Sequence, residues 1–335
     1  MGFEMDFFKR VKFHSFGLWS IVITTIIILF FFNILFSYIF TAPSIVHPSL
    51  EGSSWSYKIE SSDVGTSDGI SVNKGGWSKL EEPINIVPKN TKAIIYYKTN
   101  LPAINVVDPH LFLQTNDQVF QIFVEGNLIY SFGDFNNFNY KHSPGAPPHL
   151  ISLPEDYQNK ELIIAMKSVS GKRLGLIRTI ELDSKGNHFT RIFKMNIGTL
   201  ILGCLNIVIG IACMFVGIGR KLGRKALFSL GLLFLIVGSW SIAENSLTQL
   251  FHVRPLFWFY IAIISLYLIP ICVYKFILDI SNTNKKVLNL LIHLHVILFG
   301  ISFLLDLTGI LAFINTMIFY YVLTGTSYMI CVAIS

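Results

Sequence analysis

Charge is the scarcest property of this 335-residue sequence: Asp, Glu, Lys and Arg make up 14% of it, against about 25% in an ordinary soluble domain. Hydrophobic residues reach 52%, Phe alone occurs 29 times, and the mean hydropathy is +0.57. Water cannot be the solvent along the whole of such a chain. A soluble enzyme, a disordered scaffold and a nucleic-acid-binding protein are thereby excluded. The net charge of +6 does not point to polyanions, because residues 41–194 hold 15 basic and 15 acidic side chains. The excess lies beside apolar runs, where Lys and Arg set membrane orientation. Cysteine is equally sparse. All four, Cys204, Cys213, Cys272 and Cys331, sit inside apolar runs, so no disulfide framework is implied. No glycine-rich phosphate loop, nucleophile elbow or zinc-protease motif occurs, and neither a catalytic residue nor a cofactor is expected.

What the sequence does have is six apolar runs, at 18–40, 195–218, 226–243, 256–278, 287–305 and 310–334, each near the roughly 17 to 25 residues that a spanning helix needs. The first follows Lys9, Arg10 and Lys12 but is longer than a signal peptide's core, and Pro43 after Ala42 opposes cleavage. It reads as an uncleaved anchor. Basic residues before it place residues 1–17 in the cytoplasm. Residues 41–194 are then outside, and 195–335 form a helical bundle. Arg220, Lys221, Arg224 and Lys225, then Lys285 and Lys286, mark inner turns that agree. The chain stops at Ser335 without a polar tail, as a piece of a longer protein would.

The stretch 41–194 is long enough for one domain with its own core, and its pattern is β. Alternating or β-branched segments occupy 92–99, 110–115, 119–125, 128–132, 149–153, 161–167 and 174–182. Phe120, Ile122 and Val124 share one face of their strand, as period two requires, and Gly126-Asn127 reads as a hairpin turn. Turn clusters recur at 73–76, 136–148 and 183–187. Short strands between turns, without helical periodicity, predict an all-β antiparallel sandwich of jelly-roll type.

These residues also carry a resemblance. Trp77 is followed by Tyr-Tyr-Lys-Thr at 96–99, Val-Phe-Gln-Ile-Phe-Val-Glu-Gly-Asn-Leu-Ile-Tyr at 119–130, Ser-Pro-Gly-Ala-Pro-Pro-His-Leu-Ile-Ser-Leu-Pro at 143–154 and Glu-Leu-Ile-Ile-Ala-Met-Lys-Ser at 161–168. The series resembles the galactose-binding-like jelly roll found outside bacterial seven-transmembrane receptors with diverse intracellular signalling modules. The resemblance implies an outer sensor of a small ligand, such as a carbohydrate, in a multi-pass protein of the cell membrane. It also implies a cytoplasmic output module, such as a diguanylate cyclase or histidine kinase, beyond this chain. A homodimer and the lipid bilayer complete the expected partners.

Candidate ligand-binding residues are the loop aromatics and polar groups Trp55, Phe135, Asn136, Asn137, Tyr140, His142 and His149, since aromatic faces pack on sugar C–H surfaces beside Asn and His hydrogen bonds. Trp77 reads instead as a cap on the sandwich core. His142, His149 and nearby Asp134 lack a Cys or close acid to complete a metal ligand set, so no metal is expected. A second polar cluster, Glu244, Asn245, His252 and Arg254, falls at the outer end of the third run. His293 and His295 project about 200° apart on a helix, so they cannot share a ligand and read as neutral interfacial residues. Lys275 and Asp279, four apart, can pair. Gly203, Gly210 and Gly217, then Gly231 and Gly238, recur every seven residues and predict close helix packing. The runner-up to a receptor is a membrane-anchored carbohydrate-binding or adhesion module. One anchor would serve that purpose, and five further helices would have no task.

Overall fold

The computed structural model describes residues 50, 54–61, 76–80, 93–115, 118–135, 145–168, 177–219, 223–251, 254–280 and 284–333. Nine strands come first: β1 Ser56–Ser61, β2 Ser78–Lys79, β3 Ala93–Asn100, β4 Pro109–Thr115, β5 Gln118–Val124, β6 Asn127–Phe132, β7 Pro148–Ser152, β8 Glu161–Ser168 and β9 Ile177–Ser184. They form two antiparallel sheets, one of six strands ordered β2-β1-β3-β8-β5-β6 and one of three ordered β7-β4-β9. The cause is visible in the alternation. Ile95 and Tyr97 of β3, Phe120 and Ile122 of β5, and Ile164 of β8 turn to one face and meet Leu111, Leu113, Ile151 and Leu182 of the smaller sheet in a single core. All seven expected strands are present, within a few residues.

The hairpin turn lies one residue earlier than Gly126-Asn127. Glu125 and Gly126 both have positive φ, 49° and 76°, the geometry of a type I′ turn that matches strand twist. Asn127 already pairs with Val124, and a register shift between Ile122 and Phe123 absorbs the difference.

Six helices follow: α1 Lys185–Gly219, α2 Arg224–Ala243, α3 Ser246–Phe251, α4 Pro255–Ile280, α5 Lys285–Leu307 and α6 Phe313–Ala333. Among the described residues four helices, α1, α2, α4 and α5, are long and apolar enough to cross a membrane. Six were expected; the run 18–40 lies outside the described residues, and α6, the helix of the last expected run, is not among the four.

α1 and α2 pack through the repeated glycines. A Cβ on Gly210 would stand 2.8 Å from the Gly231 carbonyl oxygen, and one on Gly238 would stand 2.7 Å from that of Gly203. Only hydrogen fits, which is how small residues bring helices together in lipid. Pro270 interrupts α4 and withholds an N–H from the Leu266 carbonyl. Tyr320 of α6 repairs the loss, its hydroxyl donating to that oxygen at 3.0 Å.

With 35 residues, α1 is about 52 Å long at 1.5 Å per residue, well beyond the roughly 30 Å of a bilayer core. Its apolar part begins at Met195, and the ten preceding residues project from that part toward the sheets. No tether intervenes, because the helix starts at Lys185, the residue after β9 ends. Residues 183–187, read from sequence as a turn, cap the helix instead. Ser184 Oγ accepts the Asn187 N–H at 3.2 Å and Asp183 Oδ1 accepts the Asn187 side-chain amide at 2.8 Å.

Candidate functional site

Three of the expected ligand residues are described, and all three are buried. Trp55 is in the core between the sheets, and its indole N–H donates to the Leu50 carbonyl at 2.7 Å. A strand entering a sandwich offers this large apolar ring a dry place together with an acceptor for its one donor.

His149 is also buried, because on β7 it shares the inward face with Ile151. Phe132 and Phe120 lie edge-on at 4.4 and 4.9 Å between ring centroids. Its Nδ1 pairs with the Tyr130 hydroxyl at 2.9 Å. Burial pushes its pKa down to about 3, so at pH 7 the ring is neutral and packed inside the sandwich. Phe135 is buried on the outer face of the six-stranded sheet with Tyr96, Val119, Ile163 and Ala165. Asn136, Asn137, Tyr140 and His142 lie outside the described residues.

Three members of the second cluster are described. Asn245 is buried and structural: its amide donates to the Asn196 carbonyl at 2.8 Å and to Thr199 Oγ1 at 2.7 Å, and its oxygen accepts the Leu247 N–H that opens α3. Glu244 is exposed at the end of α2, near Arg178 of β9. Arg254 is exposed, and its carbonyl accepts the Phe257 N–H of α4. His252 lies outside the described residues. Of the intramembrane pairs, Lys275 Nζ meets Asp279 at 2.7 Å as expected. His293 is exposed, whereas His295 is buried in the bundle.

Two arrangements not foreseen from sequence stand out. The first is the outer face of the six-stranded sheet. Trp77, half-buried, packs with Phe135 and Tyr96 there and not on the inter-sheet core. Lys98 Nζ lies 5.2 Å from its ring centroid and 2.7 Å from Glu161. Lys58 pairs with Glu60 at 2.6 Å. Burial, reinforced by Glu60, pushes the Tyr96 hydroxyl up to about 12. Beneath Phe135, Lys167 donates to its carbonyl at 3.2 Å, with burial drawing the ammonium down to about 8 against the pull of Asp134. An indole face flanked by both signs of charge suits a neutral ligand rich in hydroxyls. Among the described residues no cluster of His, Cys, Asp or Glu is suited to a metal. Period-two alternation on β3 and β8 carried the signal for this face, since Tyr96 and Lys98 fall opposite Ile95 and Tyr97.

The second arrangement is the joint between the sheets and the helices. Phe112 of β4, Ile192 of α1 and Leu247 of α3 are buried together, with Leu150 and Leu250 packed on them. His188 stacks on Phe112 at 5.7 Å, and its Nε2 meets the His110 carbonyl at 3.0 Å. Arg191 forms an ion pair with Glu181 of β9 and lies 5.1 Å over the Phe112 ring. The Lys185 N–H donates to the Asp108 carbonyl at 3.2 Å. One helix is thus held by two strands, and the short helix that links α2 to α4 closes the contact.

No protein-family model matches the chain, and no curated protein matches it either. Among solved structures it is similar to a PA14 sugar-binding domain from an RTX adhesin, at 18% identity over 28% of this chain and 47% of that one, with a TM-score of 0.20. It is also similar to the GH31 alpha-xylosidase of Xanthomonas citri, at 9% identity over 45% of this chain and 20% of that one, with a TM-score of 0.23. The chain thus spans less than half the length of either. At these scores neither likeness carries an argument about fold or activity.

Proposed function

We propose that this chain is the sensory part of a membrane receptor of the seven-transmembrane type with diverse intracellular signalling modules. Its β region is a jelly-roll-type domain outside the cell membrane, and the N-terminus is cytoplasmic. A small hydroxyl-rich ligand, a sugar in the first instance, binds on the face around Trp77, Tyr96 and Lys98. The bundle carries the change to an output module beyond this chain, such as a diguanylate cyclase or histidine kinase. The observation that supports this reading most is the joint. A passive tether needs only a flexible segment, whereas here β9 continues into α1 and the contact is packed and ion-paired. A ligand shifts a two-state equilibrium only by its differential affinity for the states, and a stiff joint lets strand movement become helix movement.

The test uses the purified chain in nanodiscs, its four cysteines replaced and spin labels placed at the exposed positions Phe215 and Leu290. A sugar that raises the melting temperature should also move the distance between the labels, and Trp77→Ala should remove both effects. Glu181→Gln should preserve the thermal shift and remove the distance change. Stabilisation by a sugar with unmoved labels would reduce the protein to an anchored binding module.

A further inference from the structure

Tyr260, Tyr267 and Tyr274 recur every seven residues on α4, so they form one row along the helix. α5 turns His295, Ser302 and Asp306 inward, and α6 does the same with Thr316, Tyr320 and Ser327. The three helices therefore enclose a polar seam, in contrast to the glycine contact of α1 and α2.

Two levels of the seam are saturated. The Tyr260 hydroxyl donates to Asp306 Oδ2 at 2.7 Å, and Asp306 Oδ1 accepts the Phe313 N–H at 2.8 Å. The Tyr267 hydroxyl pairs with Thr316 Oγ1 at 2.9 Å, under the rings of Phe299 and Phe313. The third level is not saturated. His295 is 1% exposed, its ring is 5.4 Å from that of Tyr274, and Nδ1 lies 2.9 Å from the Leu291 carbonyl. A carbonyl only accepts, so Nδ1 carries the proton and Nε2 of the neutral ring presents a lone pair.

Among the described residues that Nε2 makes no hydrogen bond within the protein, and neither do Thr324 Oγ1, Ser327 Oγ or Ser302 Oγ, all buried. Ser327 adjoins the Tyr274 hydroxyl, and Thr324 adjoins that of Tyr320. A buried Nε2 without a donor, beside the Tyr274 ring, is costly unless a donor reaches it.

We infer that this level is a built water site, in which a buried water donates to His295 Nε2 and is held by the hydroxyls of Ser327 and Tyr274. The requirement of two to four polar partners for a buried water is met by these three side chains. Water fits where a metal does not, because among the described residues no cluster of metal-ligating side chains gathers there.

Radiolytic hydroxyl labelling of the whole chain in nanodiscs tests this, since radicals formed from a bound water modify the side chains beside it. Tyr274, 5% exposed, should be labelled well above Tyr267, which is 1% exposed and hydrogen-bonded to Thr316. Labelling of Tyr274 should be lost in His295→Phe and reduced in Ser327→Ala. The comparison of the two tyrosines needs no variant, so it stands if a substitution unfolds the bundle. Equal, low labelling of Tyr274 and Tyr267 would overturn the inference, as would undiminished labelling of Tyr274 in a folded His295→Phe chain.

Discussion

Acidification from pH 7 to pH 5 should loosen the edge where β6 and β7 meet, and His149 is the reason. In the folded protein its pKa is about 3, because the charged form would be stranded among Phe120, Phe132 and Tyr130. In the unfolded chain it returns to about 6.5. A lowered histidine pKa means that the unfolded state binds more protons between those values, so stability rises with pH through the window and falls as the pH drops from about 6.5 toward 3. Between pH 7 and pH 5 the linkage relation gives a loss of about 2 kcal/mol, roughly a thirtyfold change in the opening equilibrium. Hydrogen exchange of peptides covering β6 and β7 in the intact chain, corrected for the intrinsic pH dependence of exchange, reads that change directly. Carboxylates elsewhere contribute their own slope, so the decisive quantity is the difference from His149→Phe, whose ring suits the aromatic surroundings and does not titrate. The variant should lose about 2 kcal/mol less over the same interval. Equal losses in both proteins would refute the argument, because they would mean that His149 is not held neutral by its surroundings.

Gly210→Leu should lower the melting temperature of the detergent-solubilised chain, since its Cβ meets the Gly231 carbonyl at 2.8 Å and overpacking costs about 1–3 kcal/mol. Gly219→Ala, with nothing within 4 Å of its Cβ, should be silent in the same melt. Tyr320→Phe should cost about 1–3 kcal/mol by leaving the Leu266 carbonyl without a donor, whereas the exposed Tyr321→Phe should melt as the parent does. For orientation, an impermeant thiol reagent on intact cells should label Leu128→Cys on β6 and not Lys225→Cys, both exposed positions. Labelling at 225 would invert the topology.

Period two and period seven were legible in the sequence, and they account for most of what was read correctly. Seven strands were visible because their apolar residues alternate, and the glycine contact was visible because its spacing is a helical face. β1 was not, since Ser-Tyr-Lys-Ile-Glu-Ser offers the core only Tyr57, while Ile59 stays exposed. The ligand residues were chosen by type, and residue type alone does not tell inward from outward. Trp55 and His149 satisfy the chemistry of a sugar site and equally that of a sandwich interior. His149 could have been placed from its own strand, where it falls two residues before the core residue Ile151. Asp183 and Ser184 illustrate a different limit. Their short side chains accept backbone and amide hydrogens alike, so the same letters serve a loop or the first turn of a helix. What decides is the tertiary contact that follows, made by His188, Arg191 and Ile192.

That contact also decides what kind of movement the protein can transmit. Were β9 joined to α1 by free chain, tilting of the sheets would be lost in the linker, since flexible segments absorb rotation with little cost. Here the first turns of α1 are gripped by Asp108, His110, Phe112 and Glu181, which lie on or beside two neighbouring strands. Leu247 and Leu250 bring α3, the link from α2 to α4, onto the same apolar patch. Displacing β4 against β9 therefore acts on α1 and on the α2–α4 link together. Because α1 and α2 are locked by glycines, they should yield as a pair. A ligand bound as proposed on the outer face of the six-stranded sheet would, among the described residues, reach this system through the shared core, from β3 and β8 to Leu111 and Leu182. Filling or emptying that core should accordingly change the coupling more than the affinity.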